Sequence, residues 1–563
     1  MDRKLKIVIV GGVAAGPKTG ARIQRLFPQA DITLIEKGKF LSYAGCGLPY
    51  YVSGVVKEQK ELMSTPVGVV RDSVFFQNVK NIHVLNRTEA LKIEPLKKQV
   101  VVKSLLDGLE KTLPYDKLVL ATGSRPVVPP IEGIRLRNIF TLQRMEDAEG
   151  IKILLSEEQA KNVVIVGGGL IGIEMTEALV QKGCQVTVVE KFPQILSILD
   201  WEMAQFVSSY LESKGVKIRV STTVQAFKGK DHIESVQTDR GELPCDMVIF
   251  AIGVRPNTTL AVEAGLSIGP TGAIKVDGTM RTSDPDIYAV GDCVESTNLL
   301  TGEACFIPLG STANKHGRVA ANNICGQNDI FPGVLGSAIC KVFDFAVART
   351  GLGEEQARKS GFDVVTILTP APDKAHYYPS AKLLMMKMIV DRKSRKLLGL
   401  QVVGPGAADK RIDVAATAIS AGMTIDQISH LDLCYAPPYS PAMDNLITAA
   451  DIARNKLDGL FESLTPMEVK KKIDNSDDFI FLDVRSPAEH QETSIDKAIL
   501  IPLGTLRERW MELPKGKEIV TFCKISLRGY EAACILKANG FKNVKVMDGG
   551  LLMWPYEIKR SGK

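Results

Sequence analysis

The chain has 563 residues, 45% hydrophobic and 24% charged, with a formal net charge of +6. At roughly 100 to 200 residues per domain this length holds about three to five globular domains, and the composition excludes disorder. The small cationic surplus, without a concentrated basic stripe, excludes a nucleic-acid binder, and no apolar run reaches the ~18 residues of a membrane span.

The first predicted element is a buried strand, Leu5 to Val10. Its basic-then-apolar start superficially resembles a signal peptide, but the apolar run stops at glycines that have another use. The turn Gly11-Gly12-Val13-Ala14-Ala15-Gly16 leads into an amphipathic helix from about Pro17 to Phe27 and a second strand, Ile32 to Ile35, closed by Glu36. In such a βαβ unit the helix N-terminal amides meet a pyrophosphate, and the acid ending the second strand binds a ribose diol. Val13 stands where the GxGxxG pattern wants its middle glycine.

A second copy follows: the strand Val163 to Val166, the turn Gly167-Gly168-Gly169-Leu170-Ile171-Gly172, a helix carrying Glu174, and the strand Val186 to Val189 ending in Glu190. Glu36 lies 25 residues after Gly11 and Glu190 lies 23 after Gly167, against about 20 in such units. Two dinucleotides on one chain imply electron transfer, most simply from nicotinamide to flavin. Glu190 favours NADH, because a carboxylate repels the 2′-phosphate of NADPH; the adjacent Lys191 leaves NADPH possible.

The strings Leu120-Ala121-Thr122-Gly123-Ser124, Ala251-Ile252-Gly253-Val254-Arg255-Pro256-Asn257 and Thr282 to Asp292 come next. In order and content they resemble those of the flavin-dependent pyridine nucleotide-disulfide oxidoreductases, over about residues 5 to 450. The resemblance implies an α/β fold with two Rossmann-like domains. FAD would be held by Gly11, Gly12, Val13, Ala14, Ala15, Gly16, Glu36, Lys37, Thr122, Gly123 and Asp292. NADH would be held by Gly167, Gly169, Gly172, Glu190 and Gly253. It also implies that the NAD domain (150–255) interrupts the FAD domain (1–149 and 256–330), and that the mixed pattern over 331–455 is an α+β dimerisation domain of a homodimer.

Ten cysteines without small-domain spacing or a CxxC pair predict free thiols in a reducing, cytoplasmic compartment, and six scattered histidines offer no metal site. Core packing is the expectation for Cys184, Cys245, Cys293, Cys305, Cys325, Cys340, Cys434 and Cys534. Cys46 differs, because Gly45, Gly47 and Pro49 place it on a backbone-defined segment just past the first nucleotide turn. Tyr51 occupies the position five residues on, where dihydrolipoamide-type and glutathione-type reductases carry a second cysteine. With no local resolving thiol, Cys46 must cycle through a mixed disulfide, a persulfide or a sulfenic acid.

The string Ser42-Tyr43-Ala44-Gly45-Cys46-Gly47-Leu48-Pro49-Tyr50 resembles the SFxNCGxPY motif of coenzyme A-disulfide reductases and NADH-dependent persulfide reductases, departing at Gly45 where that group has Asn. His376-Tyr377-Tyr378-Pro379 and Tyr435-Ala436-Pro437-Pro438-Tyr439-Ser440 fit the same group. The resemblance implies that Tyr377 and Tyr435, with Tyr378 and Tyr439 as alternatives, reach the partner subunit's cysteine and protonate a leaving sulfur. It also implies that Arg22 and Arg25 bind coenzyme A phosphates and that Ser42 lies by the pantetheine arm.

Beyond Lys456, Thr465 is the expected N-cap of a helix opening at Pro466. The strand Phe479 to Leu482 ends in Asp483-Val484-Arg485, a second strand runs into Cys523-Lys524-Ile525-Ser526-Leu527-Arg528, and Asp548-Gly549-Gly550 and Trp554 close the chain. This region, 464–563, resembles a rhodanese domain. A strand ending in a short loop before a helix turns loop amides towards a thiol and cradles a persulfide anion, with Arg528 and Lys524 adding positive charge.

These expectations combine into an FAD- and NADH-dependent reductase of persulfide, polysulfide or coenzyme A disulfide, with Cys46 as nucleophile, Cys523 relaying sulfane sulfur and hydrosulfide as product. Two alternatives stand beside it: an NADH oxidase or peroxidase cycling Cys46 through sulfenic acid, although the first Gly-rich turn lacks the histidine of such peroxidases, and a redox-sensing scaffold.

Overall fold

The computed structural model describes residues 4–157 and 159–560. The chain divides into two compact units: one runs to Leu196 and resumes over Glu212–Val334, and the other joins Ser197–Leu211 to the chain from Leu335 onward.

In the first unit Lys6–Val10 pairs in parallel with Asp31–Ile35 on one side and Lys117–Leu120 on the other, while Ile82–Leu85 and Ile287–Ala289 complete a five-stranded sheet. Ile7 to Val10 are all buried, as a central parallel strand covered on both faces requires. A second parallel sheet has the order Lys217–Arg219, Gln185–Val189, Asn162–Val166, Met247–Phe250, Ile139–Phe140. The chain crosses between the sheets where Ser124–Pro126 pairs antiparallel with Val254–Pro256.

Four helices bear on the site of this unit: α1 (Ala15–Leu26), α2 (Leu48–Ser53), α3 (Leu170–Gln181) and α4 (Gly310–Ile324). Helix α1 starts two residues before the expected Pro17, because the turn leaving Val10 closes at Ala14 and the last glycine of the motif is already helical. Small residues let α4 lie close on α1: a Cβ on Gly317 would come within 2.7 Å of the Ala15 carbonyl oxygen.

The second unit holds an antiparallel sheet of order Ala338–Val342, Phe345–Gly351, Leu397–Gly404, Leu383–Asp391, Val364–Pro372, with helices α5 (Ala408–Ser420) and α6 (Asn445–Leu457). It also holds a parallel sheet of order Glu462–Leu464, Val544–Met547, Glu518–Phe522, Phe479–Asp483, Ile499–Leu500, with helix α7 (Leu527–Ala538) entered directly after Ser526. Thr465 caps the helix Pro466–Asp474 as expected: its hydroxyl accepts the Glu468 amide at 3.2 Å, and Glu468 accepts the Thr465 amide at 2.7 Å. The parallel domain packs onto the antiparallel one through α6: Lys456 bonds the Thr366 carbonyl at 3.0 Å and the Asp548 carboxylate at 3.1 Å, and Ile452 joins the apolar cluster of the parallel sheet.

The packing expectation for the cysteines holds at Cys184, Cys245, Cys293 and Cys340, and in part at Cys305 and Cys325. It fails at Cys434, on an exposed loop, and at Cys534, on the solvent side of α7, whose buried residues are Gly529, Ala532, Ala533, Ile535 and Leu536.

Lys387 is only 1% exposed, and its ammonium meets three carboxylates: Asp200 at 2.9 Å, Glu354 at 2.7 Å and Glu202. Those anions hold the buried lysine charged and push its pKa up, against the desolvation that opposes them. Removing the cation strands buried negative charge. Lys387→Met is expected to destabilise this unit by about 3–5 kcal/mol, read as a lower urea midpoint by tryptophan fluorescence, since Trp201, Trp510 and Trp554 all lie in it. A midpoint equal to the parent's would show that the cluster contributes nothing.

Candidate active sites

The two glycine turns of the first unit share one geometry. Gly11 has φ +116°, and a Cβ there would sit 2.0 Å from the Ala121 carbonyl oxygen; on Gly16 it would sit 1.9 Å from that of Gly11. In the second turn Gly167 has φ +110° and a Cβ would sit 2.4 Å from the Ala251 oxygen, and on Gly172 one would sit 2.1 Å from that of Gly167. Only glycine fits these approaches. Glu36 accepts the Gly12 amide at 2.6 Å and the Gly38 amide at 2.6 Å; Glu190 accepts the Gly168 amide at 2.7 Å and the Phe192 amide at 2.9 Å. Each acid is thus fixed at the mouth of its own turn.

No side chain caps α1 or α3. Ala14 caps the first helix, with Val13 and Ala15 on either side of it, so backbone amides face the turn, and Gly169 at the start of α3 has open space around its Cβ position. This donor set, amides at a helix N-terminus beside a fixed carboxylate, fits a dinucleotide at each turn. Thr122 bonds the Asn257 carbonyl at 2.7 Å, and Gly123 and Gly253 have φ +65° and +107° with nothing near their Cβ positions. Asp292 is partly buried, which pushes its carboxyl up against a hydrogen bond from Ser124. Lys37 pairs with Glu89 at 2.7 Å. Arg22 donates to Asn322 of α4 at 2.9 Å, while Arg25 is exposed in the last turn of α1.

Cys46 occupies a single 3-10 turn, Gly45–Gly47, ahead of α2. Ser42, in the left-handed region at φ +47°, donates its amide to the Gly12 carbonyl at 2.8 Å and so ties this segment to the first nucleotide turn. A Cβ on Gly47 would strike Leu62 at 2.4 Å, whereas one on Gly45 meets nothing within 4 Å. Gly45 is therefore not required by space; its effect is the removal of a side chain beside the thiol. Tyr51 is buried and donates to Glu149 at 2.6 Å. The Cys46 sulfur lies 3.9 Å from where a Cβ would stand on Gly310, the first residue of α4, so a fifteen-residue helix directs its positive end at it.

The thiol itself is solvent-exposed, yet the protein around it, followed by the charges of Glu174 and Asp292, pushes its pKa up. Glu174 was visible in the sequence only as a helix residue. It is mostly buried, accepts the Tyr50 hydroxyl at 3.3 Å, and burial pushes its pKa up to about 7. A glutamate seven residues after the first glycine of a nucleotide-binding turn, on the helix that packs towards the Cys46 segment, is the signal that could have found it.

In the second unit Cys523 directly follows the strand Glu518–Phe522 and is wholly buried. The turn after it bends at Ser526, φ +85°, and is held by the segment 547–552: Leu551 donates its amide to the Cys523 carbonyl at 2.8 Å, and Ser526 its hydroxyl to the Met547 carbonyl at 3.1 Å. Arg528 makes a two-pronged pair with Glu489 at 2.7 and 2.8 Å, which lowers the Glu489 pKa to about 2, and Glu489 with the nearby Cys523 pushes the arginine's own pKa up. Behind it the fully buried Asp483 accepts from Arg485 at 2.6 Å and bonds His490 at 2.8 Å. Tyr377 and Tyr435 are exposed, and Tyr435 pushes the Tyr377 pKa up; Tyr435 with Cys434 lines an open pocket of about 420 Å³ together with residues 429–433, 440–444 and 447.

Twin dinucleotide turns, a lone thiol at a helix N-terminus beside them and a buried thiol near an arginine in a separate parallel domain define a pyridine nucleotide-linked thiol oxidoreductase joined to a sulfurtransferase-like module. The chain belongs to the pyridine nucleotide-disulphide oxidoreductase family: residues 5–317 match its principal domain, 337–447 its dimerisation domain and 465–556 a rhodanese-like domain. FAD and NAD(P)H are the cofactors of this family. The chain is 37% identical to the NAD(P)H coenzyme A polysulfide/persulfide reductase of Pyrococcus horikoshii over 80% of its own length and 99% of that protein. The structure of an NAD-dependent persulfide reductase from A. fulgidus is 47% identical, with a TM-score of 0.93 over 98% of this chain and 100% of that one. Reduced Bacillus anthracis CoADR-RHD is 36% identical, also with a TM-score of 0.93, over 98% of each chain.

Because the Glu174 charge raises the Cys46 pKa, its removal acts in the opposite sense. Glu174→Gln is expected to move the pH midpoint of Cys46 alkylation by iodoacetamide downward in the holoenzyme, read by mass spectrometry of the Cys46 peptide. A midpoint that stays in place would show that the carboxylate does not act on the thiol.

Proposed function

We propose that this chain is a cytoplasmic, homodimeric, NADH-dependent reductase of coenzyme A persulfide and coenzyme A disulfide, with polysulfide sulfur entering at Cys523 and hydrosulfide as product. The observation that carries this reading is Cys46: a lone thiol at a helix N-terminus beside a nucleotide turn, with a buried tyrosine where a resolving cysteine would stand. The names of the Pyrococcus and A. fulgidus relatives support the substrate class. FAD held by Gly11 to Gly16, Glu36, Thr122, Gly123 and Asp292 would supply a two-electron connection between sulfur and NADH held at Gly167, Gly169, Gly172, Glu190 and Gly253.

Arg22, Arg25 and Ser42 bind coenzyme A and present its sulfur to Cys46. The Cys46 thiolate attacks the persulfide sulfur bonded to coenzyme A: a Cys46 to coenzyme A disulfide forms, the persulfide S–S bond breaks, and hydrosulfide leaves with the electron pair. Tyr377 and Tyr435, reaching the partner subunit's cysteine, place a hydroxyl proton at the leaving sulfur there. Two electrons from NADH and a proton then split the mixed disulfide into coenzyme A thiol and Cys46 thiolate. Cys523 carries sulfur between donors and coenzyme A, with the Arg528 guanidinium near enough to pair with a persulfide anion.

Cys46→Ser is expected to abolish NADH-dependent sulfide release from both coenzyme A persulfide and polysulfide. Cys523→Ser is expected to lower release from polysulfide alone; unchanged release from polysulfide would reject the relay. NADH consumption with oxygen or peroxide exceeding that with coenzyme A persulfide would replace this reading by the oxidase or peroxidase one, and failure of NADH to bleach the flavin would leave a scaffold.

A further inference from the structure

Tyr377 and Tyr435 come from loops nearly sixty residues apart in sequence, yet Tyr435 lies near enough to push the Tyr377 pKa up. Neither ring is held by burial: the side chains are 66% and 52% exposed. What holds them lies beneath. Arg411, on α5, is 1% exposed and sits between the bases of the two loops.

One prong of its guanidinium, Nη2, donates to the Asp373 carbonyl at 2.8 Å and to the Asp444 carboxylate at 2.9 Å; Nη1 donates to the Ala407 carbonyl at 3.1 Å and Nε to Asp444 at 3.4 Å. Asp373 closes the Tyr377 loop at its neck, donating its amide to the Lys382 carbonyl at 2.8 Å and accepting the Lys382 amide on its side chain at 2.8 Å. Asp444 ends the Tyr435 loop: it accepts the Ser440 hydroxyl at 2.9 Å and the Leu446 amide at 3.0 Å as the N-cap of α6. Lys410 at 3.5 Å from Asp444 and Lys374 at 3.8 Å from Asp373 are the other charges facing the pair.

We infer that Arg411 is a positioning residue which sets the register of the Tyr377 and Tyr435 loops and so keeps the two hydroxyl groups together over the sulfur substrate. The inference rests on the reading of that pair given above. A planar fork with five donors spans a carbonyl on one loop and a carboxylate on the other, which the single point charge of lysine cannot do.

The test uses the full-length holoenzyme carrying fluorotyrosine, with the Tyr377 and Tyr435 resonances assigned through Tyr377→Phe and Tyr435→Phe. The neighbouring Tyr435 hydroxyl raises the Tyr377 pKa. In Arg411→Lys that titration is expected to fall towards the ordinary tyrosine value, as it does in Tyr435→Phe. The kcat for coenzyme A persulfide is expected to drop about 10- to 100-fold, while the rate of flavin reduction by NADH and sulfur transfer by Cys523 stay within twofold. Arg411→Lys combined with Tyr377→Phe is expected to be no slower than the slower single variant, as for groups acting as one unit.

An unmoved Tyr377 titration, or losses that multiply in the double variant, overturns the inference. A moved titration with full kcat in Arg411→Lys and in both Phe variants upholds the register and overturns the catalytic reading of the tyrosines. Should Arg411→Lys not fold, Ser440→Ala, which removes one bond to Asp444, is expected to give the same changes at smaller size, and its failure to shift the titration counts against the inference.

Discussion

Two close approaches of backbone to backbone organise the first unit. Gly11 lies against the Ala121 carbonyl and Gly167 against that of Ala251, each at a distance no side chain tolerates. Each contact brings the start of a helix to the ends of two parallel strands and lets the acid of the second strand reach the turn's own amide. The position of Cys46 follows from the first contact, because Ser42 hangs from the Gly12 carbonyl and the 3-10 turn is only a few residues further on. A change at Gly11 would therefore shift the glycine turn, Glu36 and Cys46 together.

The parts legible in the sequence were those with a local signature. Glycines at fixed offsets need left-handed or crowded backbone, Thr465 with Glu468 makes a capping box, and a cysteine after a strand and before a helix marks the sulfurtransferase loop. Contacts set by the tertiary fold were not legible: Glu174 meeting Tyr50 across 124 residues, or Lys387 gathering acids from three segments, gives no pattern along the chain. Arg411 was invisible for the same reason, since an arginine on an amphipathic helix reads as solvated until its partners are known.

The exposed cysteines teach a narrower lesson. Burial of cysteine is a statistical habit, and at Cys534 it was overruled by helical phase: residues 529, 532, 533 and 536 define the buried side of α7, and 534 falls opposite. That phase was readable from the sequence and outweighs the preference of the residue type. At Cys434 the flanking prolines and tyrosines, Pro437, Pro438, Tyr435 and Tyr439, already marked an irregular surface loop.

The arrangement in the second unit sets which sulfurs the surroundings can touch. Reagents dissolved in bulk water meet Cys46, Cys434 and Cys534 before any of the others, whereas Cys523 is closed over by its own turn and by Arg528. Oxidation towards sulfinic and sulfonic acids requires access as well as thiolate character. Cys523, the sulfur carrier proposed above, is thus sheltered from peroxide and from dissolved thiols by the same turn that holds it.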